Sequence, residues 1–334
     1  MAKAKTPARK TKASSDKGGP SLHSPVCRKP ARPVFAQPEP TEDPTKFRIK
    51  HASDGQAYKA IDALNKEHKV HPLPFPPPRG GTEPKLILEE VLGGVADAEP
   101  AVKAQAKQTV QAIVDGQQIV FHALGDCGST RGPTSENQVV DKLIGDFEES
   151  DPREIPQFHF LLGDIVYSFG EARYYYDQFY DPYRDYPAPI LAAAGNHDGM
   201  ISPLVGAKSL EAYLRTVQIQ PGVFFTFEAP FVRIIALYSN TLEDPGVIAD
   251  DTVGDSQLTF LKAALTRVKI EGYKGALLFA DHHPPYTAGG QHGWSIVMAN
   301  QIDKICNEVG VWPHAFLSGH AHNYQRFTRT RNSD

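Results

Sequence analysis

The alternation of strand-like and helix-like segments from Gln118 onward is the feature that most constrains the fold of this 334-residue chain. Short apolar runs predict seven strands, and helical patterns separate several of them. The strands are predicted at 119–124, 158–162, 190–194, 223–227, 232–238, 276–280 and 315–317, and the helices at 136–147, 171–180, 255–269 and 295–308. Strands that alternate with helices form βαβ units, so we expect an α/β fold with a largely parallel sheet.

The N-terminal segment has a different composition from the rest of the chain. Residues 1–32 contain nine Lys and Arg residues but only one acidic residue, Asp16. Residues 1–46 are rich in Lys, Ala, Pro and Ser, and we expect them to be a disordered basic tail. Such a tail is either a solvated leader or an electrostatic anchor for nucleic acid or another polyanion.

Residues 47–115 are predicted to form an N-terminal extension in front of a catalytic domain at 116–334. Their pattern predicts short helices and an extended proline-rich stretch at 71–78; the helices are expected at 58–66 and 101–115. No apolar run reaches the roughly 20 residues that a membrane span needs. The basic N-terminus has no apolar segment behind it, as a Sec-type signal would, so we expect a cytoplasmic protein. The pattern carries no information on the oligomeric state.

Five short polar signatures occur in a fixed order, each at the end of a predicted strand. They read Gly125-Asp126-Cys127-Gly128, Gly163-Asp164-Ile165-Val166-Tyr167, Gly195-Asn196-His197-Asp198, His282-His283-Pro284 and Gly319-His320-Ala321-His322. In α/β sheets, ligand sites lie at the carboxyl ends of the strands. Carboxylate, amide, phenolate and imidazole groups are ligands of hard and borderline metal ions. The signatures therefore predict a site for two metal ions, an arrangement that hydrolyses phosphate esters.

Each signature has a plainer interpretation when it is taken alone. A Gly-Asp pair after a strand is often only a turn or a helix cap, and a His-x-His pair can be ordinary surface. Five such segments in order, all at strand ends, favour one shared site. Within it, His320 and His322 would face the same side and reach different ions, and Asp164 would bridge both ions.

These residues resemble the calcineurin-like metallophosphoesterases over about residues 118–334. Many members of that family begin with Asp-x-His, but here Gly128 replaces the histidine and Tyr167 follows Gly163-Asp164. The loss of that histidine and the gain of this tyrosine are similar to the purple acid phosphatase branch, and segments 257–261 and 322–326 also resemble family motifs. The resemblance implies a four-layer α/β/β/α sandwich with two central mixed sheets and a metal site at the carboxyl ends of the strands.

The resemblance also implies which residues would bind metal. One ion would be held by Asp126, Asp164, Tyr167 and His322, and the other by Asp164, Asn196, His282 and His320. A tyrosinate favours a hard trivalent ion. Fe(III) is therefore implied at the Tyr167 site, with Fe(II), Zn or Mn as the second ion.

Further residues match positions at which the family contacts its substrate. Asn196 and His197 would contact the phosphate, and His197 would also assist the leaving group. Asp198 is the nearest carboxylate that could orient His197. His292 matches a substrate-facing histidine, and His283 is the alternative for that role.

The function implied is dinuclear metal-dependent hydrolysis of phosphomonoesters, in which hydroxide attacks phosphorus in line. Two other functions stay open. One is a metallo-phosphodiesterase or nuclease, to which the basic tail would recruit nucleic acid. The other is a non-catalytic binding protein with a degenerate site. A colourless centre with only Zn, Mn or Fe(II) also stays open. Because the family usually continues with more strands after the last signature, either the sheet is completed differently here or the chain is incomplete.

Overall fold

The computed structural model describes residues 74–330 except for short gaps. The gaps lie at 95–97, 130–131, 133, 168, 202–206, 241–245, 252 and 289–291. The predicted basic tail and the predicted helix at 58–66 lie outside the described residues, as does the start of the proline-rich stretch.

Eight strands occur in the described part of the chain, and they include all seven that the pattern predicts. They are β1 Lys85–Ile87, β2 Val120–Leu124, β3 Pro156–Leu162, β4 Ile190–Ala193, β5 Phe225–Ala229, β6 Val232–Ala236, β7 Ala276–Ala280 and β8 Ala315–Leu317. The strand that was not predicted is β1, which has three residues.

The α-helices of the described residues range from single turns to a helix of 17 residues. They are α1 Leu88–Gly93, α2 Pro100–Gly116, α3 Thr134–Gly145, α4 Asp181–Tyr183, α5 Asn196–Gly199, α6 Glu211–Thr216, α7 Ser256–Ile270 and α8 Ile296–Val309. The helix predicted at 171–180 is instead a 3-10 turn, Ala172–Tyr174, followed by a π-helical segment, Tyr176–Tyr180. Another 3-10 turn, Asp146–Glu148, extends α3.

The strands form two sheets. One has the order β1-β5-β6-β7-β8, and its pairs are parallel except for the antiparallel pair β5 and β6. The other has the order β2-β3-β4 and is parallel throughout its described strands. The two-sheet α/β architecture is thus confirmed. Among the strands described, only the five-stranded sheet combines parallel and antiparallel pairs.

The two sheets pack face to face through aromatic side chains. Phe158 of β3 contacts Phe227 of β5 with ring centroids 4.9 Å apart, and Phe160 lies 6.4 Å from Phe225. Side chains alternate across a strand, so Leu161 points to the opposite face of its sheet. The face of the three-stranded sheet that carries Leu161 packs against α3 and α4. The outer face of the five-stranded sheet packs against α7 and α8. The result is four layers, helices outside and two sheets inside.

Residues in front of β2 are packed into this sandwich. β1 pairs in parallel with β5 at the edge of the five-stranded sheet. Arg79 donates hydrogen bonds to the carbonyl oxygens of Gln218 and Gln220 at 2.8 and 2.6 Å, and the ring of Phe75 lies 5.2 Å from that of Tyr238. The domain boundaries drawn from the sequence stay predictions. None of the helices in the described ranges is long and apolar enough to cross a membrane.

Candidate metal centre

The polar signatures lie at the carboxyl ends of β2, β3, β4, β7 and β8, and several of their residues have an unusual backbone. Asp126, Asp164, His320 and His322 have φ values of 57°, 53°, 65° and 52°. Residues other than glycine rarely adopt this left-handed region, and each such residue costs about 1–3 kcal/mol unless its surroundings impose the conformation. Here the loops hold one another, since His320 N donates to Asp126 Oδ1 at 3.1 Å. Such strained positions are typical of functional sites.

Two groups of potential metal ligands meet at this edge. Asp126, Asp164 and His322 form one group, and Asp164, His282 and His320 form the other. In each group the ligand atoms lie within 4.8 Å of one another. The distance from His282 Nε2 to Asp164 Oδ2 is 3.3 Å, and that from His322 Nε2 to Asp126 Oδ1 is 3.4 Å. Asp164 belongs to both groups, so a single carboxylate stands between them.

Tyr167 and Asn196 each join one of these groups. Tyr167 Oη donates to Asp126 Oδ1 at 3.2 Å and lies 3.0 Å from His322 Nε2. Asn196 Oδ1 lies 3.0 Å from His282 Nε2. The structure thus brings together all seven residues that the sequence analysis named as metal ligands, while ligation itself stays a prediction.

The charges of this cluster fit a cation. Burial disfavours the charged form of both Asp164 and His282, but each stabilises the other: the pKa of Asp164 lies well below its usual range, and the pKa of His282 rises to about 10. Burial together with Asp164 and Asp126 raises the pKa of Tyr167 well above its usual value. Protons are therefore held on His282 and Tyr167 by nearby negative charge. A metal ion would replace those protons and neutralise the same charge.

His282 is held in the orientation that a metal ligand requires. Its Nδ1 lies 2.8 Å from the carbonyl oxygen of Leu162, which accepts only when Nδ1 carries the proton. This bond turns Nε2 toward Asp164 and Asn196, so that Nε2 would present its lone pair to an ion that replaced its proton. A backbone carbonyl on the remote nitrogen is the usual partner of a metal-binding imidazole.

Two glycines allow the groups to approach so closely. A Cβ atom at Gly195 would overlap Asp164, at both its backbone nitrogen and its Oδ1. At Gly163, φ is 90° and a Cβ atom would lie 2.5 Å from His282 Nδ1. Larger residues are therefore excluded at both positions.

His197 lies at the opening of the cluster. Its backbone nitrogen donates to Asp164 Oδ1 at 3.0 Å, and its Nε2 lies 3.9 Å from Asp164 Oδ2. Its ring packs against that of Tyr167, with centroids 4.5 Å apart. Asp164 is therefore a carboxylate that contacts His197 in this structure, whereas Asp198 was the nearest candidate for that contact in the sequence.

Asp198 lies beneath the loops and is fully buried. Its carboxylate accepts hydrogen bonds from Gly195 N at 2.8 Å and Ile165 N at 3.1 Å. Burial and the neighbouring charge of Asp164 raise the pKa of Asp198 to about 7. These bonds join the loop after β3 to the loop after β4, so Asp198 holds the backbone of two ligand loops together.

The two candidate substrate histidines occupy different environments. His283 is fully buried, and its Nδ1 lies 2.8 Å from Ser239 Oγ. His292 is partly exposed, and its ring lies 4.5 Å from His320 and 5.1 Å from His322. Burial and the adjacent His322 lower the pKa of His292 below its usual value. Of these two side chains, His292 is therefore the one that solvent reaches.

Gln178 is a residue of the site that the sequence analysis did not name. Its Oε1 accepts from Ser129 N at 2.8 Å and from Tyr167 N at 2.9 Å, and its Nε2 donates to Tyr167 O at 2.7 Å. The sequence signal is a glutamine within an aromatic run, Tyr-Tyr-Tyr-Asp-Gln-Phe-Tyr at 174–180. The π-helical segment that carries it is a rare geometry that often occurs at functional sites.

Comparison with known proteins agrees with this geometry. A family model described as calcineurin-like phosphoesterase matches residues 119–324, more than half of the chain, so the chain belongs to that family. Members of this family typically bind two metal ions. Among solved structures, the chain is similar to one described as "GAP50 the anchor in the inner membrane complex of Plasmodium". That pair has 17% identity and a TM-score of 0.42, over 62% of this chain and 67% of the other. No curated protein matches significantly.

Proposed function

We propose that this protein is a dinuclear phosphatase of the purple acid phosphatase type that hydrolyses phosphomonoesters. The observation that carries the proposal is the pair of ligand groups sharing Asp164, with the Tyr167 hydroxyl 3.2 Å from Asp126 in one of them. A phenol in such a group favours a hard trivalent ion, because phenolate is a hard, anionic oxygen ligand. We therefore assign Fe(III) to the group with Tyr167 and Fe(II), Zn or Mn to the group with Asn196.

The proposed ligand sets follow the two groups. The first ion would be held by Asp126, Asp164, Tyr167 and His322, and the second by Asp164, Asn196, His282 and His320. When bound, two such ions supply a nucleophile from water near neutral pH and neutralise charge on the phosphate. The residues around them position the substrate and move protons.

We assign proton transfer to the leaving group to His292, and we assign contact with the phosphate to His197. His197 is 16% exposed at its side chain and is kept against Tyr167 and Asp164. His292 is partly exposed and packs on His322, so it can reach the leaving group, and proton transfer by a positioned histidine is typically worth about 10²–10⁴-fold in rate. Asn196 would contact the phosphate from the same loop as His197. We assign His283 and Asp198 positioning roles because both are buried.

The first experiment combines metal analysis, a visible spectrum and two chromogenic substrates. We expect about two metal ions per chain, one of them iron. We also expect a visible tyrosinate-to-iron band, and faster turnover of p-nitrophenyl phosphate than of bis(p-nitrophenyl) phosphate. Tyr167→Phe should abolish the band. Tyr180→Phe is the matched control, because its hydroxyl lies 2.9 Å from Thr216 Oγ1 and contacts no proposed ligand in the described hydrogen bonds.

Other outcomes would assign the protein elsewhere in its family. Two colourless ions with a preference for the diester would make it a phosphodiesterase, and recruitment of nucleic acid by the basic tail would then become relevant. A protein that binds no metal and turns over neither substrate would be a binding protein with a degenerate site. A visible band that survives in Tyr167→Phe would refute the assignment of iron to Tyr167.

A further inference from the structure

Exposed aromatic side chains are concentrated beside the candidate metal centre. The described residues include five exposed Phe, Tyr or Trp side chains, and four of them come from the segments that follow β7 and β8. Those four are Tyr286, Trp294, Tyr324 and Phe327. Tyr286 and Trp294 contact each other, and adjoining exposed apolar side chains of this kind can mark a binding site.

Chain connectivity places two of these residues close to His292 and His322 of the site. Trp294 follows His292 by two residues, so their Cα atoms are at most about 7.6 Å apart. Tyr324 follows His322 by the same spacing. His292 in turn packs on His322 with ring centroids 5.1 Å apart. Exposed aromatic residues therefore occur on both loops next to the opening of the site.

Trp294 is held in place from both sides. The next residue, Ser295, donates its backbone N–H to the carbonyl of Pro284 at 3.3 Å. Ser295 Oγ caps α8 by accepting from Met298 N at 3.1 Å. The Trp294 ring pairs with the Tyr286 ring, with centroids 5.7 Å apart and planes at 32°. An indole whose backbone and ring are both fixed loses little entropy when a ligand stacks on it.

Gln325 connects the two loops that carry this surface. Its Oε1 accepts from Ala288 N at 2.7 Å, and its Nε2 donates to Thr287 Oγ1 at 3.1 Å and to Asn323 Oδ1 at 2.7 Å. The segment with Tyr286 is thereby joined to the segment with Tyr324.

We propose that Tyr286 and Trp294 stack on a planar aromatic ring in the leaving group of the substrate. The substrate class is thus a phosphomonoester with an aromatic leaving group, either an aryl phosphate or a nucleotide. This inference rests on the proposed phosphatase function and specifies its substrate. Aromatic stacking tolerates different rings because every such ring offers a π face, whereas an alkyl leaving group offers none.

The kinetic test compares three monoesters in the metal-loaded enzyme: phenyl phosphate, adenosine 5′-monophosphate and glycerol 2-phosphate. We expect Trp294→Ala to lower kcat/KM about tenfold for an aromatic substrate and less than twofold for glycerol 2-phosphate. Loss with phenyl phosphate alone identifies aryl phosphates, and loss with the nucleotide identifies nucleotides. Ile270→Ala is the control, since Ile270 is 80% exposed at the end of α7, before the amino end of β7. Equal losses for all three substrates, or no loss, would overturn the proposal.

A binding measurement separates this proposal from the proposed function. The chain has two tryptophans, so Trp312→Phe leaves Trp294 as the sole indole. In that variant, phenylphosphonate should quench the fluorescence of the metal-loaded protein, and methylphosphonate should not. Equal quenching by both compounds, or none, would refute stacking whatever the enzyme hydrolyses. Conversely, a wild-type enzyme that hydrolyses none of the three monoesters but shows selective quenching would refute the phosphatase function alone.

Discussion

Replacement of Gln178 by methionine removes the side-chain amide that fixes the backbone of Tyr167. In the part of the chain that the structure describes, the amide makes three hydrogen bonds to main-chain groups, one with Ser129 and two with Tyr167. Methionine has a similar volume, so the change leaves little cavity in a site where Gln178 is 1% exposed. The variant therefore tests the hydrogen bonds rather than the packing.

The expected magnitude follows from those three bonds. Each is worth about 1 kcal/mol net, and a buried polar group left without a partner costs about 1–3 kcal/mol. Ser129 and Tyr167 are only half-buried, so we take the lower end of that range, about 1 kcal/mol for each bond lost. The free energy of unfolding should therefore fall by about 3 kcal/mol in total. Two of the bonds hold Tyr167 itself. Their loss, about 2 kcal/mol, would weaken iron binding by about 30-fold if the metal must reorder this loop.

The assay measures unfolding of the metal-free protein in urea and iron affinity by competition with a chelator. Gln220→Met is the matched control. Gln220 is also buried, and its amide holds Ala192 of β4 through bonds of 2.7 and 2.9 Å. Because Gln220 contacts no proposed ligand in these bonds, the control should lose stability but keep its iron affinity. If Gln178→Met binds iron within twofold of the wild type while its stability falls like that of the control, the positioning role is wrong.

Three other perturbations test the site and its surroundings. Asn196→Ala and His322→Ala should each lose bound metal and p-nitrophenyl phosphate turnover together, and an active variant that keeps both ions would contradict the ligand assignment. Burial lowers the pKa of His159 from 6.5 to about 3, and neither ring nitrogen has a hydrogen-bond partner among the described residues. As the pH drops below 6.5, His159 therefore becomes protonated in the unfolded chain but not in the folded protein. Protonation thus stabilises the unfolded state, and the free energy of unfolding falls. Between pH 7 and pH 5 the loss is about 2 kcal/mol, and urea unfolding of His159→Phe should lack that slope. Gly195→Ala should abolish metal binding through overlap with Asp164. Gly145→Ala, where nothing lies within 4 Å of the new Cβ, should leave metal binding unchanged and stabilise the chain by about 0.5–1 kcal/mol in the same assay.

Periodicity was sufficient to locate seven of the strands because each of them carries a run of apolar residues. β1 has three residues, of which only Leu86 is buried, and its position depends on pairing with β5, some 140 residues away in the chain. The aromatic run at 171–180 predicts a helix but not its type. The π-helical turn there turns Gln178 toward Tyr167, which is a tertiary contact that local pattern does not contain.

The candidate ligands were predictable for a related reason. Each follows a strand, and the carboxyl ends of neighbouring parallel strands meet at one edge of a sheet. The environments of His283 and Asp198 were not predictable, since they depend on partners that are remote in sequence. Ser239 lies 44 positions from His283, and Ile165 lies 33 positions from Asp198. Adjacency to a signature residue therefore says little about which side of the loop a side chain takes.

The face-to-face packing of the sheets has a consequence for the geometry of the proposed centre. Asp126, Asp164 and Asn196 follow strands of one sheet, whereas His282 and His320 follow strands of the other. Each proposed ion would therefore be ligated from both sheets. The spacing between the sheets is maintained by phenylalanine rings such as Phe158 and Phe227, in the interior of the sandwich. The distance between the two groups of candidate ligands would then depend on the hydrophobic core, because a change in that packing would move the ligands of one sheet relative to those of the other.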